Sequence, residues 1–233
     1  MVHGYKGYDI DPEKQETIES LFEYARDTMT SPCAFHLITH ICDAEIFRAT
    51  KSKGFIREFQ RALKRQYKLL AKRKTKEGQA KVKRPQKCPN TLIVYSIEYK
   101  LTSQKEIDGD DDAYKYGYKK TKEKFPFLHI HLHVIADCNN TIPENFTYHA
   151  MNAMNELDGL RATTYAPTKP KKIKNKNGED EYEAGKKYKK LNTDYHDAVL
   201  RAFYLAKIDQ KSPEIPYRKT FDSSKVKGLS RAG

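Results

Sequence analysis

His129, Ile130, His131, Leu132 and His133 set three imidazoles at alternate positions, and Val134-Ile135-Ala136 follow. Alternate residues of a β-strand point to opposite faces. This spacing therefore puts all three imidazoles on one face and Leu128, Ile130, Leu132, Val134 and Ala136 on the other. The apolar strip suits packing under helices, which would present the imidazoles on a rigid floor. Neutral imidazole is the commonest protein ligand for divalent metals, and neighbours on one strand face can converge on a single ion. A strand with a polar solvent face could show the same alternation. The chain holds only eight histidines, however, and three at this spacing point to metal binding.

A second group could do chemistry. Tyr204-Leu205-Ala206-Lys207 places a phenol and an ammonium three residues apart, on one face of a helix. A lysine beside a tyrosine favours the phenolate and can neutralise a phosphate, which suits a tyrosine nucleophile. With 16 tyrosines in a lysine-rich chain the pairing recurs, in Tyr116-Gly117-Tyr118-Lys119. Tyr204 is the better candidate because it falls on a predicted amphipathic helix, whereas Tyr116 falls in a segment with no apolar partner to hold it.

The elements that must position these groups can be read in order. Asp11-Pro12-Glu13 forms an N-cap, first-turn proline and first-turn acid, after which Ile18, Leu21, Phe22 and Ala25 recur at helical spacing. Cys33 to Ile41 reads as a strand. Gly54 precedes a basic amphipathic helix with Phe55, Phe59, Leu63 and Leu70 inward and Arg57, Arg61, Lys64, Lys68 and Lys72 outward. Leu92 to Tyr99 is a second strand, and a polar insertion at 102–124 separates it from the histidine strand, so the two can pair antiparallel as a wide hairpin. The acidic run Asp108-Gly109-Asp110-Asp111-Asp112 lacks the full spacing of a calcium loop. Pro143 to Leu157 makes a helix stopped by Gly159. The stretch 167–190 is rich in Lys, Asn, Gly and Glu, which predicts a mobile basic insertion or a β-ribbon tip. Asn192 or Thr193 can cap a last helix through Val199, Leu200 and Phe203 to about Ile208.

The 233 residues, 38% of them hydrophobic, allow a sizeable core and predict a single domain over 1–233. Lys plus Arg number 44 against 31 Asp plus Glu, a net charge of +13. Such an excess is the electrostatic footprint of a polyanion binder, with nucleic acid the leading partner. The outward face Arg57, Arg61, Lys64 and Lys68, and Lys171, Lys172 and Lys174 of the basic insertion, are the candidate phosphate contacts. Cys33, Cys42, Cys88 and Cys138 are scattered, with no CxxC pair and no signal-peptide layout at the start, which predicts a reducing, cytoplasmic setting. No apolar run approaches a membrane span.

In order along the chain, Phe35-His36-Leu37-Ile38-Thr39, the acid Glu98, the pair His131-Leu132-His133 and then Tyr204 with Lys207 resemble the HUH endonucleases, the single-strand nickases of rolling-circle replication, conjugation and some transposition. Replication initiators of filamentous phages and related plasmids, the inovirus gene-two-protein type, are the nearest in pattern. Thr220-Phe221-Asp222-Ser223-Ser224-Lys225 resembles their closing segment. The resemblance spans roughly Phe35 to Lys225, through short motifs. It implies an α+β fold, with a central antiparallel sheet of about five strands backed by helices, related to the ferredoxin-like folds. The metal-binding strand would be central and the tyrosine helix would lie across the same face. It further implies that His131, His133 and Glu98 bind Mg²⁺ or Mn²⁺, and that Tyr204 attacks a phosphate of single-stranded DNA to give a 5′-phosphotyrosine link and a free 3′-OH, with Lys207 steadying the charge. The implied partners are a replication origin in single-stranded or hairpin form and host replication proteins, in the cytoplasm of a bacterial host. A relaxase or transposase of the same superfamily is an alternative within this reading.

Three departures stand out. The histidine pair could instead be His129 and His131; the later pair is preferred because Val134-Ile135-Ala136 continues it as the family's apolar tail does. Ile208 stands where some relatives carry another tyrosine, which puts strand transfer by two tyrosines in doubt. His36 is an unexpected residue in the first motif, and a lone histidine on a strand is more often a core residue. A rival from another class is the histidine-triad nucleotide hydrolases, which share His-x-His-x-His and use a histidine nucleophile without metal. The net charge, the Tyr204/Lys207 pair and the lack of a nucleotide-binding segment before the histidines speak against it.

Overall fold

A computed structural model describes residues 9–76, 87–102, 125–166, 171–174, 180–183, 185–208 and 215–226. The first helix, α1 (Pro12–Thr28), starts where the sequence places it: the Asp11 side chain accepts from the Lys14 backbone N–H, and Ile18, Leu21, Phe22 and Ala25 are its buried stripe. Strand β1 (Pro32–Ile41) follows. The short helix α2 (Ala44–Ser52), which periodicity does not reveal, is capped by Asp43. Gly54, at φ +94°, turns the chain into α3 (Phe55–Lys76). The wide hairpin is present as β2 (Thr91–Thr102) paired antiparallel with β3 (Phe125–Asp137) along its whole length. The polar insertion that separates them lies outside the described residues.

Helix α4 (Pro143–Asn155) ends just before Gly159, whose φ of +82° carries the chain into β4 (Leu160–Tyr165). A Cβ at Gly159 would come within 2.7 Å of the Phe47 backbone nitrogen, so only glycine fits this turn against α2. Within the basic insertion, β5 (Lys171–Lys174) and β6 (Asp180–Glu183) form a separate antiparallel ribbon, as one of the two sequence readings expects. Strand β7 (Lys189–Lys190) leads into α5 (Leu191–Ala202), and β8 (Phe221–Ser223) completes the described elements.

The fold is α+β. The main sheet runs β4-β1-β3-β2-β8 with β7 also on β1, and its neighbouring strands are antiparallel. The histidine strand β3 is central, as expected. One face presents Phe35, Leu37, Ile93, Ile97, Ile130, Leu132 and Val134 to α3, α4 and α2, forming the larger core. At one end of the other face, Ala34, Val94 and Ile135 pack against α1 and α5. The rest of that second face carries the polar groups. No helix among the described residues is long and apolar enough to cross a membrane.

The last helix differs from expectation. It stops at Ala202, and Phe203–Ala206 form a 3₁₀ turn, with Lys207 in an extended conformation, so Tyr204 does not sit on an α-helix. Neither Asn192 nor Thr193 caps α5, whose N-cap is Lys190. The turn is held from outside. Ile10 and Lys207 form a β-bridge, Asp11 N donates to Ala206 O at 2.9 Å, and Ile208 N donates to Asp9 O at 2.9 Å. These bonds to the segment before α1 replace the helical ones that the 3₁₀ geometry gives up.

Candidate metal centre

Strand register decides which groups meet. Across β2 and β3, Glu98 lies directly opposite His129, Ser96 opposite His131 and Val94 opposite His133. Side chains directly opposite, and diagonal neighbours with long side chains, are within reach of one another. Glu98 therefore reaches His129 and His131. His133, facing Val94 on one side and His36 of β1 on the other, is out of its range. Glu98 Oε1 lies 2.7 Å from His131 Nε2 and 3.5 Å from His129 Nε2, and the two imidazole nitrogens are 2.9 Å apart.

Among the described residues, Glu98, His129 and His131 are the one group of three or more side chains with metal-ligand atoms converging, all within 4.8 Å of one another and all buried. The geometry thus groups Glu98 with His129 and His131, the alternative pair, while His133 of the preferred pair lies outside this group. The apolar tail after His133 is no guide to the pair, because Val134 and Ala136 belong to the opposite face and Ile135 packs under α1 and α5.

The protonation pattern suits a cation. His129 Nδ1 lies 3.3 Å from the Phe127 carbonyl oxygen, which can only accept, so the proton sits on Nδ1 and Nε2 turns a lone pair inward. His131 Nδ1 lies 2.9 Å from His36 Nε2. With its proton on Nδ1, His131 also turns a lone pair inward. Glu98 Oε1 lies at hydrogen-bond distance from His131 Nε2, 2.7 Å, and accepts from it when that nitrogen carries the ring proton. With both imidazole protons on Nδ1, three lone-pair atoms face one another and are held together by a positive ion; an imidazole, imidazole and carboxylate set is one that divalent metals use.

Charge on the far side is already matched. Lys207, fully buried, places Nζ 2.9 Å from Glu98 Oε2. Burial by itself would raise the Glu98 carboxyl, but His131, His129 and Lys207 around it hold it well below the usual carboxylate range. Burial pushes His131 down to about 4 against the pull of Glu98, so the ring is neutral and a competent ligand at pH 7. His133 is also pushed well down, first by burial and then by Arg201 and His131.

The tyrosine and lysine predicted from their spacing do come together at this centre. Lys207 Nζ lies 3.6 Å from the centroid of the Tyr204 ring, and that ring meets His131 edge-on at 4.7 Å between centroids. Tyr204 is partly exposed, while Glu98, His129 and His131 are buried. Tyr116 lies outside the described residues. Of the candidate phosphate contacts, Arg57, Arg61, Lys64 and Lys68 are exposed on α3 as expected, with Arg61 tied to Glu58 at 2.7 Å. That helix packs on the apolar face of the sheet, away from the metal centre. Lys171, Lys172 and Lys174 lie in β5, on the separate ribbon.

His36 and His40 are two histidines of this face to which sequence reasoning gave no role. Both are buried on the histidine face, and His36 bonds His131 and stacks on His133 with centroids 4.3 Å apart. Their signal was present: Ala34, His36, Ile38 and His40 alternate in β1 as the other histidines do in β3. No protein-family model, curated protein or solved structure matches this chain.

Proposed function

We propose that this chain is a metal-dependent endonuclease that nicks and rejoins single-stranded DNA through Tyr204, in the manner of the HUH initiators of plasmid or phage rolling-circle replication. The observation that carries the reading is the contact of the Tyr204 ring with both the Lys207 ammonium and, edge-on, the His131 ring of a buried Glu98/His129/His131 group. The +13 charge supports a polyanionic substrate. Two imidazoles with one carboxylate favour Mn²⁺ over Mg²⁺, which prefers carboxylates and water.

Glu98, His129 and His131 would hold the ion, which when bound would supply Lewis-acid polarisation of the scissile phosphate. The Tyr204 oxygen forms the new bond to phosphorus, the bond from phosphorus to the 3′ oxygen breaks, the phenol gives up its proton and the 3′ oxygen gains one. A 5′-phosphotyrosine and a free 3′-OH result, and the reverse reaction seals the strand. Lys207 offsets negative charge both on Glu98 and near the phenol, while His36 fixes the His131 ring. The histidine-triad alternative needs a histidine open to a nucleoside phosphate, and His129, His131 and His133 are each at most 4% exposed.

Tyr204→Phe tests the reading. It should abolish the covalent protein–DNA band formed with labelled single-stranded oligonucleotides and Mn²⁺, a loss of at least about 10³-fold if the nucleophile is gone. DNA affinity should change less than about twofold. An adduct that survives in Tyr204→Phe would assign the nucleophile elsewhere.

A further inference from the structure

Among the described residues, Ala162 of β4 is the non-glycine residue with a positive φ, +53°. A side chain is disfavoured in this left-handed region, and such an outlier persists only where its surroundings hold it. Ala162 belongs to a β-bulge. Strand β4 pairs with β1 as Thr164 opposite Ile38 and Arg161 opposite His40, so Thr163 and Ala162 together face the single residue Thr39. Side chains secure the extra residue: Thr39 Oγ1 donates to the Arg161 carbonyl at 3.2 Å, Thr163 Oγ1 donates to Thr39 Oγ1 at 2.8 Å, and the Thr163 backbone N–H donates to Asn155 Oδ1 of α4 at 3.0 Å.

The bulge decides which face Arg161 joins. Residues directly opposite in an antiparallel pair share a face, so Arg161, opposite His40, stands on the face of the metal centre, while Leu160, opposite Ile41, enters the apolar core. Without the extra residue, the register that pairs Leu37 with Tyr165 and Ile38 with Thr164 would set Arg161 opposite Ile41, on the apolar face. One cross-strand row then leads from the sheet edge to the centre: Arg161 opposite His40, His40 opposite His129, and His129 opposite Glu98. Neighbouring strands lie about 4.8 Å apart, which sets the Arg161 backbone roughly 10 Å from that of His129. Arg161 is exposed and has no ion-pair partner among the described residues, whereas Arg48, Arg57, Arg61 and Arg65 each meet a glutamate.

We propose that the bulge holds Arg161 as a phosphate contact for single-stranded DNA, on the β4 side of the metal centre. The inference rests on the nicking reading for the identity of the strand. A guanidinium presents a planar fork of N–H donors that matches phosphate oxygens, and it stays charged at any working pH. Held two strands from the ligand group, it sets which phosphate of a bound strand reaches the centre. That is a positioning task, and it needs no contact with a base.

The test measures binding of a fluorescein-labelled oligothymidylate to the full chain, without metal, by anisotropy from low to moderate salt. Arg161→Gln should bind about tenfold more weakly at low salt and flatten the log–log salt slope by roughly 0.7, the value for one phosphate contact on a single strand. Arg161→Lys, which keeps the charge and loses the fork, should keep the slope and recover part of the affinity. Mn²⁺ affinity should stay unchanged in both, and because Arg161 is exposed neither change disturbs the core. Arg48→Gln removes the same charge from α2, on the apolar side of the sheet, and should leave the slope as it is. An unchanged slope in Arg161→Gln, or an equal loss in Arg48→Gln, would overturn the contact and make Arg161 a solvated edge residue. Failure of the nicking reading is seen separately: if the wild-type chain forms no covalent adduct with Mn²⁺ while the Arg161 loss is present, the nicking reading falls and the contact stands.

Discussion

The two faces of the central sheet are built from the same three strands and do opposite things. Toward α3 and α4, strands β1, β2 and β3 turn Phe35, Leu37, Ile93, Ile97, Ile130 and Leu132, and the core closes with aromatic contacts such as Phe35 on Phe146, centroids 4.6 Å apart. Toward α1 and α5, the same strands bury five imidazoles, a carboxylate and, from the turn after α5, an ammonium. The first face yields stability by removing apolar surface from water. The second spends stability, because buried polar groups cost free energy unless each is paired, and among the described residues His36 Nδ1 and His133 Nε2 have no hydrogen-bond partner. Spending of this kind is the usual mark of a site, and the apolar face is what makes it tolerable.

The largest expected effect lies on the apolar face. Phe35→Ala should lower unfolding free energy by about 3–5 kcal/mol through the cavity it leaves, read from the urea midpoint. A loss below about 1 kcal/mol would mean that this face does not carry the fold.

Metal should stabilise the other face alone. At 100 times its dissociation constant, Mn²⁺ should raise stability by about 2.7 kcal/mol, since it binds the folded chain and not the unfolded one. His129→Ala and His131→Ala should remove this gain, whereas His133→Ala should keep most of it. Calorimetric titration of the three variants checks the register, and equal losses at His131 and His133 with His129 spared would restore the later pair.

The faces should also differ in their response to acid. His36, His131 and His133 have lowered pKa values, so the unfolded chain takes up protons near 6.5 while the folded chain does so only at lower pH, about 4 for His131. Their contribution is complete above about pH 6.5 and is lost as pH falls toward 4, at up to about 1.4 kcal/mol per pH unit for each ring. Glu98, held low, adds its own loss only below its ordinary 4.5. Urea titrations of the metal-free protein at pH 7, 6 and 5 measure the slope, and a flat profile would mean that the rings are hydrated.

The smallest effect is at the surface of α3. Arg61→Ala with Lys64→Ala should change stability by less than about 0.5 kcal/mol, as both are exposed. If this face contacts DNA, the log–log salt dependence of single-strand binding should flatten by roughly 0.7 per lost contact. An unchanged slope would make it a solvated helix face.

Much of this was written locally. Alternation from Leu128 to Ala136 set the two faces of β3, helical spacing set the buried stripe of α1, and Asp11 and Gly54 marked boundaries. Each of these follows from the geometry of one element, which a short window of sequence contains. What no window contained was the pairing of β2 with β3. A shift of one residue would have turned Glu98 to the other face, and a shift of two would have set it opposite His131 or Phe127 in place of His129. The alliance of His133 with His36, and the end of α5 at Ala202, also came from partners distant in the chain, β1 in one case and Asp9 to Asp11 in the other. Local periodicity chose the ligand types, while strand register and the burial of both sheet faces chose which of them converge.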